Sequence, residues 1–254
     1  MAVNRGKLAL SDVLETCKKC TLAPMCLPKG LVGDQIEKIE KIVSRIPSIK
    51  TNKHLYRLGE PFDSFYIVRT GCIKEYVETE LGDEQIVGFK YIGEMFGLDS
   101  LNKGQYISSA LPLVTSSVCR IPCSNFEQIC DDIPDLAGQV LDMISHEISA
   151  QRGLRVVVSQ KNAEKKLAFF LSNESTRLKL LGYSGRELNL PMTRADIASY
   201  LCLTVETISR IFRRFVQEGI IKIKNRNVKI SDIGKLQLLA EHCSTCPATT
   251  LKAS

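Results

Sequence analysis

The fold of the C-terminal third is decided by the stretch MTRADIASYLCLTVETISRIFRRFV, residues 192–216. Thr193 and Thr204 can each cap a helix, because a threonine hydroxyl accepts a hydrogen bond from an unpaired backbone N–H of the first turn. Two short helices would follow these caps, joined by about three residues with Leu203 in the corner. The pattern predicts a helix-turn-helix, whose second helix can enter the major groove of DNA.

The second helix of this pair has two distinct faces. Its apolar side chains recur at helical spacing and are predicted to face the core, namely Ile208, Ile211, Phe212 and Phe215. The opposite face carries polar side chains, namely Glu206, Ser209, Arg210, Arg213 and Arg214. Arginine suits a bidentate contact with guanine, and glutamate can accept from cytosine N4. A hairpin over residues 220–230 predicts a wing. A solvated helix face without a nucleic-acid role is the alternative.

Charge is distributed unevenly along the 254 residues. Residues 161–230 carry 14 Lys and Arg against 6 Asp and Glu, whereas the rest of the chain carries 20 against 22. A basic segment beside a near-neutral remainder indicates a polyanionic partner, which with a helix-turn-helix would be double-stranded DNA.

Regularly spaced glycines mark the part of the chain that precedes this domain. They stand at positions 59, 71, 82, 93 and 104, with β-rich runs between them at 65–68, 73–77 and 85–89. Turns at such intervals predict a compact antiparallel roll or sandwich. Upstream of it, Asp34 is predicted to cap a helix with apolar positions as far as Ile46, which Pro47 would end. The sequence contains no catalytic motif, so an enzyme is not expected.

A long helix, at about residues 134–159, is predicted after the roll. Positions at alternating steps of three and four residues form the seam of a two-stranded coiled coil, namely Leu141, Ile144, Ile148, Gln151 and Arg155. Because Gln151 and Arg155 make its lower half polar, the predicted homodimer should associate weakly. Weak association suits regulation, since a small added free energy can decide whether two chains pair. The alternative is a helix that lies on its own domain.

Three cysteines near the N-terminus, Cys17, Cys20 and Cys26, have the spacing C-x2-C-x5-C. Such thiolates can hold an iron–sulfur cluster, with a fourth ligand supplied from elsewhere. Zinc and the absence of a metal are the alternatives, although zinc ligands come more often as two short pairs. No leader or membrane-spanning run is found, so we expect a cytoplasmic protein without a membrane partner. The 10 cysteines of such a protein favour metal or redox chemistry over disulfides.

Taken together, the chain resembles the FNR branch of the CRP/FNR family of bacterial transcription regulators, from about Cys17 to Ile230. The resemblance is most specific in four segments, which are the cysteine spacing, GDEQIVGF at 82–89, KNAE at 161–164 and LTVETISR at 203–210.

The resemblance implies an α+β fold with a fixed order of parts. These are an N-terminal cysteine-rich segment (1–46), a cyclic-nucleotide-binding-like β-roll as sensor domain (47–132), a dimerisation helix (133–160), a winged helix-turn-helix DNA-binding domain (161–246) and a tail (247–254).

The resemblance also implies a function and its residues. One 4Fe–4S cluster per subunit would promote dimerisation and DNA binding without oxygen, and oxygen would degrade it. Its ligands would be Cys17, Cys20, Cys26 and, at the position that matches the fourth ligand, Cys119. The DNA-binding residues, at TTGAT-like palindromic half-sites, would be Glu206, Ser209, Arg210, Arg213, Thr193 and Thr204. The regulator would contact RNA polymerase to activate or repress anaerobic-metabolism genes. The residues of that contact would be Gly82, Asp83, Glu84 and Tyr183.

Three features depart from the family pattern. The segment that would cradle a cyclic nucleotide, QYISSA at 105–110, contains no arginine, so that ligand is not expected. Gln151 stands where some relatives carry an acidic residue on the dimer seam. The pair Cys243 and Cys246 has no counterpart and is interpreted as accidental, with a redox-active pair as the alternative. Two alternatives stay open, a regulator of the same fold that senses a small molecule or thiol redox without a cluster, and a cysteine-based redox enzyme or electron carrier.

Overall fold

The structure of the protein, a computed structural model, describes residues 17, 20, 22, 26, 29–31, 33–80, 82–159 and 162–240. Cys243, Cys246 and the predicted tail lie outside the described residues. The helices are α1 (Asp34–Ile42), α2 (Cys123–Asp132), α3 (Pro134–Ser159), α4 (Ala163–Leu180), α5 (Arg194–Tyr200), α6 (Val205–Gln217) and α7 (Ile233–Ala240). The strands are β1 (Ser44–Ile49), β2 (Ser64–Thr70), β3 (Ile73–Glu78), β4 (Glu84–Lys90), β5 (Met95–Phe96), β6 (Ser109–Pro112), β7 (Ser116–Pro122), β8 (Glu187–Asn189), β9 (Ile221–Lys224) and β10 (Asn227–Ile230).

Strands β1 to β7 form the predicted roll from two antiparallel sheets. One sheet has the strand order β1-β7-β2-β5 and the other the order β4-β3-β6. All five regularly spaced glycines have a positive φ, which glycine adopts without a steric penalty. The glycine spacing therefore identified the turns between the strands, and the antiparallel roll is confirmed.

Strand β2 is buried on both faces because its side chains alternate between two apolar clusters. Tyr66 and Val68 face the cluster between the two sheets. Phe65 and Ile67 face a second cluster, the outer cluster, which they form with side chains of α1, α2 and α3. Cys119 of β7 also belongs to the outer cluster. The cysteine that the family resemblance singles out therefore faces the helical layer rather than the space between the sheets.

The start of the roll differs from the prediction. Gly33 occupies the N-cap position of α1 and no side chain caps the helix, so the predicted cap at Asp34 is wrong. As the first helical residue, Asp34 still interacts favourably with the helix dipole. Ile46 and Pro47 belong to β1, so the helix ends before the proline. Pro47 is tolerated there because β1 is an edge strand whose register shifts next to the proline, and a missing N–H costs little at such a place.

Helix α3 has the predicted bounds and runs for 26 residues. Its inner face is buried at four positions, namely Leu136, Val140, Gly153 and Val157. Leu136 and Val140 pack in the outer cluster, which ties the first half of the helix to the roll. Within the described ranges, no helix is long and apolar enough to cross a bilayer.

The C-terminal domain is the predicted winged helix-turn-helix. Helices α5 and α6 form the motif, and β9 and β10 form the wing with a turn in which Asn225 has a φ of 57°. Strand β8 pairs with β10 and was not predicted, because three residues are too few for a periodic pattern. Leu203 is half-buried and packs against the domain core, as expected of the corner residue.

We expect Gly71→Ala to lower the free energy of unfolding more than Gly59→Ala does. The two φ angles are 90° and 84°, so alanine meets a similar backbone strain of about 1 to 2 kcal/mol at each. An added Cβ at Gly71 would lie 2.1 Å from Ser116 Oγ, whereas nothing lies within 4 Å at Gly59. Because Ser116 Oγ accepts from the Cys72 backbone N–H, its displacement should cost about 1 to 3 kcal/mol more. Denaturant titration measures both variants, and equal losses would contradict the steric argument.

Candidate functional site

Helix α6 buries its apolar face and leaves its polar face at the surface. The four predicted core side chains are buried, namely Ile208, Ile211, Phe212 and Phe215. The opposite side is called the reading face below and consists of exposed Glu206, Arg210 and Arg213 with half-buried Ser209. A polar, mostly exposed face on the second helix of this motif is the geometry that the major groove accepts.

Two threonines fix the starts of the paired helices, as predicted. Thr204 Oγ1 accepts from the Thr207 backbone N–H at 3.1 Å. Thr193 Oγ1 accepts from the Asp196 backbone N–H at 3.1 Å, and the Asp196 carboxylate accepts from the Thr193 backbone N–H at 2.7 Å. These bonds orient α5 and α6. A direct contact of either threonine with DNA stays a prediction.

Two neighbouring arginines of α6 differ in their partners. Arg214 forms ion pairs with Glu164 of α4 and with Glu218, the latter at 2.7 Å. Arg213 is exposed, and its Nε lies 3.4 Å from the backbone oxygen of Ser209. Because two carboxylates hold Arg214, Arg213 is the better candidate for a phosphate contact.

Arg194, the first residue of α5, is a further candidate that the sequence pattern did not predict. Its guanidinium carbon lies 3.2 Å from the centroid of the Phe212 ring, and burial lowers its pKa to about 10. It lines a groove of about 500 Å³ together with Ser209 and Arg213 of the reading face and Gln217. The only sequence signal for this residue was its position directly after the Thr193 cap.

The cysteine segment meets the roll at Arg45. Arg45 of β1 is the register partner of Cys119 in β7, and its Nη2 lies 3.5 Å from Cys17 Sγ. Cys17 and Cys119 are buried, whereas Cys20 and Cys26 are half-buried. Cys26 packs against the outer cluster, to which Cys119 belongs. Arg45 therefore links Cys17 to the strand position opposite Cys119, and Cys26 lies against the cluster that contains Cys119.

Burial disfavours the thiolate form of Cys17 and Cys119. It raises the pKa of Cys17 against the opposing charge of Arg45. It also raises the pKa of Cys119 to about 11, with the charge of Arg69 opposing it and those of Cys17 and Cys20 adding to it. Iron would compensate the charge of buried thiolates, so this soft donor set fits a thiolate-ligated cluster. Among the described residues, however, no three Cys, His, Asp or Glu side chains are gathered as a metal site.

The predicted dimer seam of α3 is largely exposed in the single chain. Leu141 is 66% exposed and Ile148 is 47% exposed. Gln151 and Arg155 are exposed too, whereas Ile144 packs partly against the outer cluster. Large apolar side chains exposed along one helix face are typical of a surface that a partner covers.

The predicted polymerase contacts lie in two surface segments. Gly82, with a φ of 83°, and Asp83 are exposed in the turn that precedes β4. Glu84 forms an ion pair with Lys74 of β3, so its carboxylate is already engaged. Tyr183, just after α4, is 67% exposed. Asp83 and Tyr183 therefore present exposed side chains, and Gly82 lies exposed in the turn.

Comparison with known proteins assigns the fold and the family. A family model described as a cyclic nucleotide-binding domain matches residues 47–132, and one described as a Crp-like helix-turn-helix domain matches residues 165–239. Electron transport regulator A of Shewanella oneidensis is 38% identical over 224 residues, which cover 88% of this chain and 90% of that protein. The fumarate and nitrate reduction regulatory protein of Escherichia coli is 38% identical over 226 residues, which cover 89% of this chain and 90% of that protein.

A solved structure agrees with this assignment. FixK2 from Bradyrhizobium japonicum superposes with a TM-score of 0.71 at 26% identity, covering 78% of this chain and 97% of that one. The named relatives are regulators and not enzymes, which agrees with the absence of a catalytic motif in the sequence. Both the predicted fold class and the predicted resemblance are thereby confirmed. The chain belongs to the FNR branch of the CRP/FNR family of transcription regulators.

Proposed function

We propose that this regulator senses oxygen through a labile 4Fe–4S cluster, one per subunit, and that the cluster-bound form binds TTGAT-like palindromes as a homodimer. The observation that carries the proposal is the position of Arg45, which contacts Cys17 and stands opposite Cys119 in the sheet. Arg45 thus stands next to two cysteines that are distant in sequence, which supports the proposal. The names of two relatives, which refer to electron transport and to fumarate and nitrate reduction, support control of anaerobic-metabolism genes.

The residues that would hold the cluster are Cys17, Cys20, Cys26 and Cys119. When bound, the cluster supplies an iron centre that oxygen can degrade. The protein contributes positive charge beside the ligands, because Arg45 lowers the pKa of Cys17 and Arg69 lowers that of Cys119, both against the effect of burial. Such charges favour the thiolates that ligation requires.

Packing connects Cys119 with the dimerisation helix. Cys119 lies in the outer cluster together with Leu136 and Val140 of α3. Because a close-packed interior transmits displacement, closing the cysteine segment onto Cys119 would shift α3. That shift would favour the associating form, and a few kilocalories are enough when the seam is partly polar.

The reading face supplies the DNA contacts. Arg210 and Glu206 would contact base edges, since arginine pairs with guanine and glutamate accepts from cytosine, and Ser209 would contribute a further hydrogen bond. Arg213 would bind DNA phosphates, as would Arg194, which lines the groove beside the reading face. Such contacts would fix the position of the protein on the duplex without reading its sequence.

Contacts with RNA polymerase are proposed at the exposed turn of Gly82 and Asp83 and at Tyr183. Glu84 would contribute less, because its carboxylate pairs with Lys74. These surfaces would let the bound dimer activate or repress transcription.

A regulator without a cluster is the second candidate. The observation that favours it is the lack of an assembled three-donor metal site among the described residues. A cyclic nucleotide is not the proposed signal, because residues 105–110 lack an arginine and the Glu94 carboxylate already accepts from the Tyr91 backbone N–H at 3.0 Å. An iron and sulfide assay separates the two candidates.

Arg210→Ala should lose discrimination between half-sites. Removal of a bidentate contact with guanine is expected to cost about 1 to 3 kcal/mol at one base pair, while non-specific binding persists. Arg214→Ala is the matched control, since Arg214 is held by Glu164 and Glu218. Fluorescence anisotropy on matched and single-substitution half-sites measures both, and full discrimination by Arg210→Ala would refute its role.

Protein reconstituted without oxygen should contain about four iron and four sulfide per chain and should shift a TTGAT-type palindrome in a gel. Exposure to air should abolish both properties. Cys119→Ala should show neither, whereas Cys72→Ala, whose thiol lies in a different cluster, should behave as the parent protein. A parent protein without iron that shifts the DNA equally well would support the second candidate.

A further inference from the structure

The end of β4 contacts both helices that meet at the DNA-binding domain. Lys90 is the last residue of β4, and its Nζ lies 2.7 Å from Glu147 Oε1 of α3. Tyr91 is the next residue, and its hydroxyl donates to Glu174 Oε1 of α4 at 2.6 Å. Successive side chains of an extended segment point to opposite sides. Two adjacent residues therefore contact the dimerisation helix and the first helix of the DNA-binding domain.

The contact of Lys90 with α3 belongs to an ionic network in which Lys90 and Glu75 are buried and Glu147 is partly exposed. The Lys90 and Glu75 side chains are 6% and 8% exposed, and Nζ lies 3.5 Å from Glu75 Oε2. Burial opposes the charge of Lys90, but Glu75 and Glu147 together raise its pKa above the ordinary value, so the pairs persist. On α3, Gln151 Nε2 donates to Glu147 Oε1 at 2.9 Å, which extends the network to the dimer seam.

The contact of Tyr91 with α4 combines a hydrogen bond to Glu174 with stacking of Arg177 on the Tyr91 ring. The guanidinium carbon of Arg177 lies 3.5 Å from the Tyr91 ring centroid, and its Nη2 donates to Glu174 Oε2 at 2.6 Å. Tyr91 and Glu174 are both buried. A charge-assisted hydrogen bond in a buried place has a defined direction, so this contact fixes the orientation of α4 against the roll.

The other end of β4 is bonded to the helix-turn-helix. Ser199 Oγ of α5 accepts from the Ile86 backbone N–H at 2.8 Å and donates to the Glu84 backbone oxygen at 2.9 Å. Gln85 Nε2 donates to the Ser199 backbone oxygen at 2.6 Å. These contacts involve α5, and that of Tyr91 involves α4, while the charged residues of the reading face on α6 stay exposed. Docking on β4 thus positions the domain without covering its DNA contacts.

We propose that Lys90 and Tyr91, here called the β4 brace, are positioning residues that set the angle between the DNA-binding domain and the dimerisation helix and thereby the half-site spacing that the dimer accepts. The inference rests on the proposed binding of palindromes by a homodimer. Half-site spacing is a geometric property of a dimer, because each recognition helix must meet a groove at a fixed distance and rotation. Domains joined in one chain move relative to each other unless contacts of this kind hold them.

The test uses Tyr91→Phe and Glu147→Gln in the full chain, on palindromes whose spacer is the preferred one or is changed by one base pair. One base pair rotates a half-site by about 35°, since the duplex turns once in about 10 base pairs. The parent should prefer one spacer strongly. In both variants the ratio of the affinities for the preferred and the altered spacer should fall about tenfold. One hydrogen bond to a charged group supports a change of this size. Binding to a single half-site and the melting temperature should stay close to those of the parent.

The substitutions are chosen so that folding is retained. Tyr91→Phe keeps the ring under Arg177, and Glu147→Gln leaves Glu75 to balance Lys90. Asp142→Asn, which changes an exposed carboxylate of α3 outside the brace and outside the predicted seam, is the control and should match the parent. Equal weakening on every spacer and on the single half-site, or an unchanged preference, overturns the brace. If the parent protein binds no palindrome, the proposed function itself is wrong, and this result is obtained before any variant is made.

Discussion

Helix α3 carries apolar side chains on two faces, one packed on the roll and one exposed, and the rest of the structure depends on that constraint. Its inner side chains, such as Leu136 and Val140, are part of the roll's outer cluster. Its outer side chains, such as Leu141 and Ile148, are left exposed by the single chain. Exposed apolar area favours association, whereas Gln151 and Arg155 on the same face limit it. The helix is therefore suited to a dimer whose stability a modest input can change.

Two sets of contacts connect α3 with other parts of the chain. From the roll, Cys119 shares the outer cluster with the inner face of α3, and this packing is the route by which we propose that the cysteine segment acts on the helix. From β4, Lys90 holds Glu147 while Tyr91 holds Glu174 of the next helix. The first route would change how strongly two chains pair, and the second would decide how the paired chains present their reading faces. A regulator needs both properties, because a dimer with wrongly oriented domains cannot engage two half-sites together.

Local patterns predicted the parts of the fold whose determinants are local. The caps at Thr193 and Thr204 and the apolar period of α6 specify the helix-turn-helix, and glycines in positive-φ turns specify the roll. Element boundaries were harder, since apolar residues continue from α1 into β1 and Pro47 sits in the strand. The ion pairs of Lys90 could not be predicted, because no sequence period relates it to Glu75 or Glu147. Cys119 was assigned by resemblance alone, and only the register of β1 against β7 shows that it lies near Cys17.

The most direct measurement of the central claim, that the cysteine segment controls association through α3, is sedimentation equilibrium of the full chain under nitrogen. Iron-free and reconstituted protein would be compared at the same concentration and salt. The account predicts a dimer for the reconstituted protein at concentrations where the iron-free protein is a monomer. The same monomer–dimer equilibrium in both forms would contradict it.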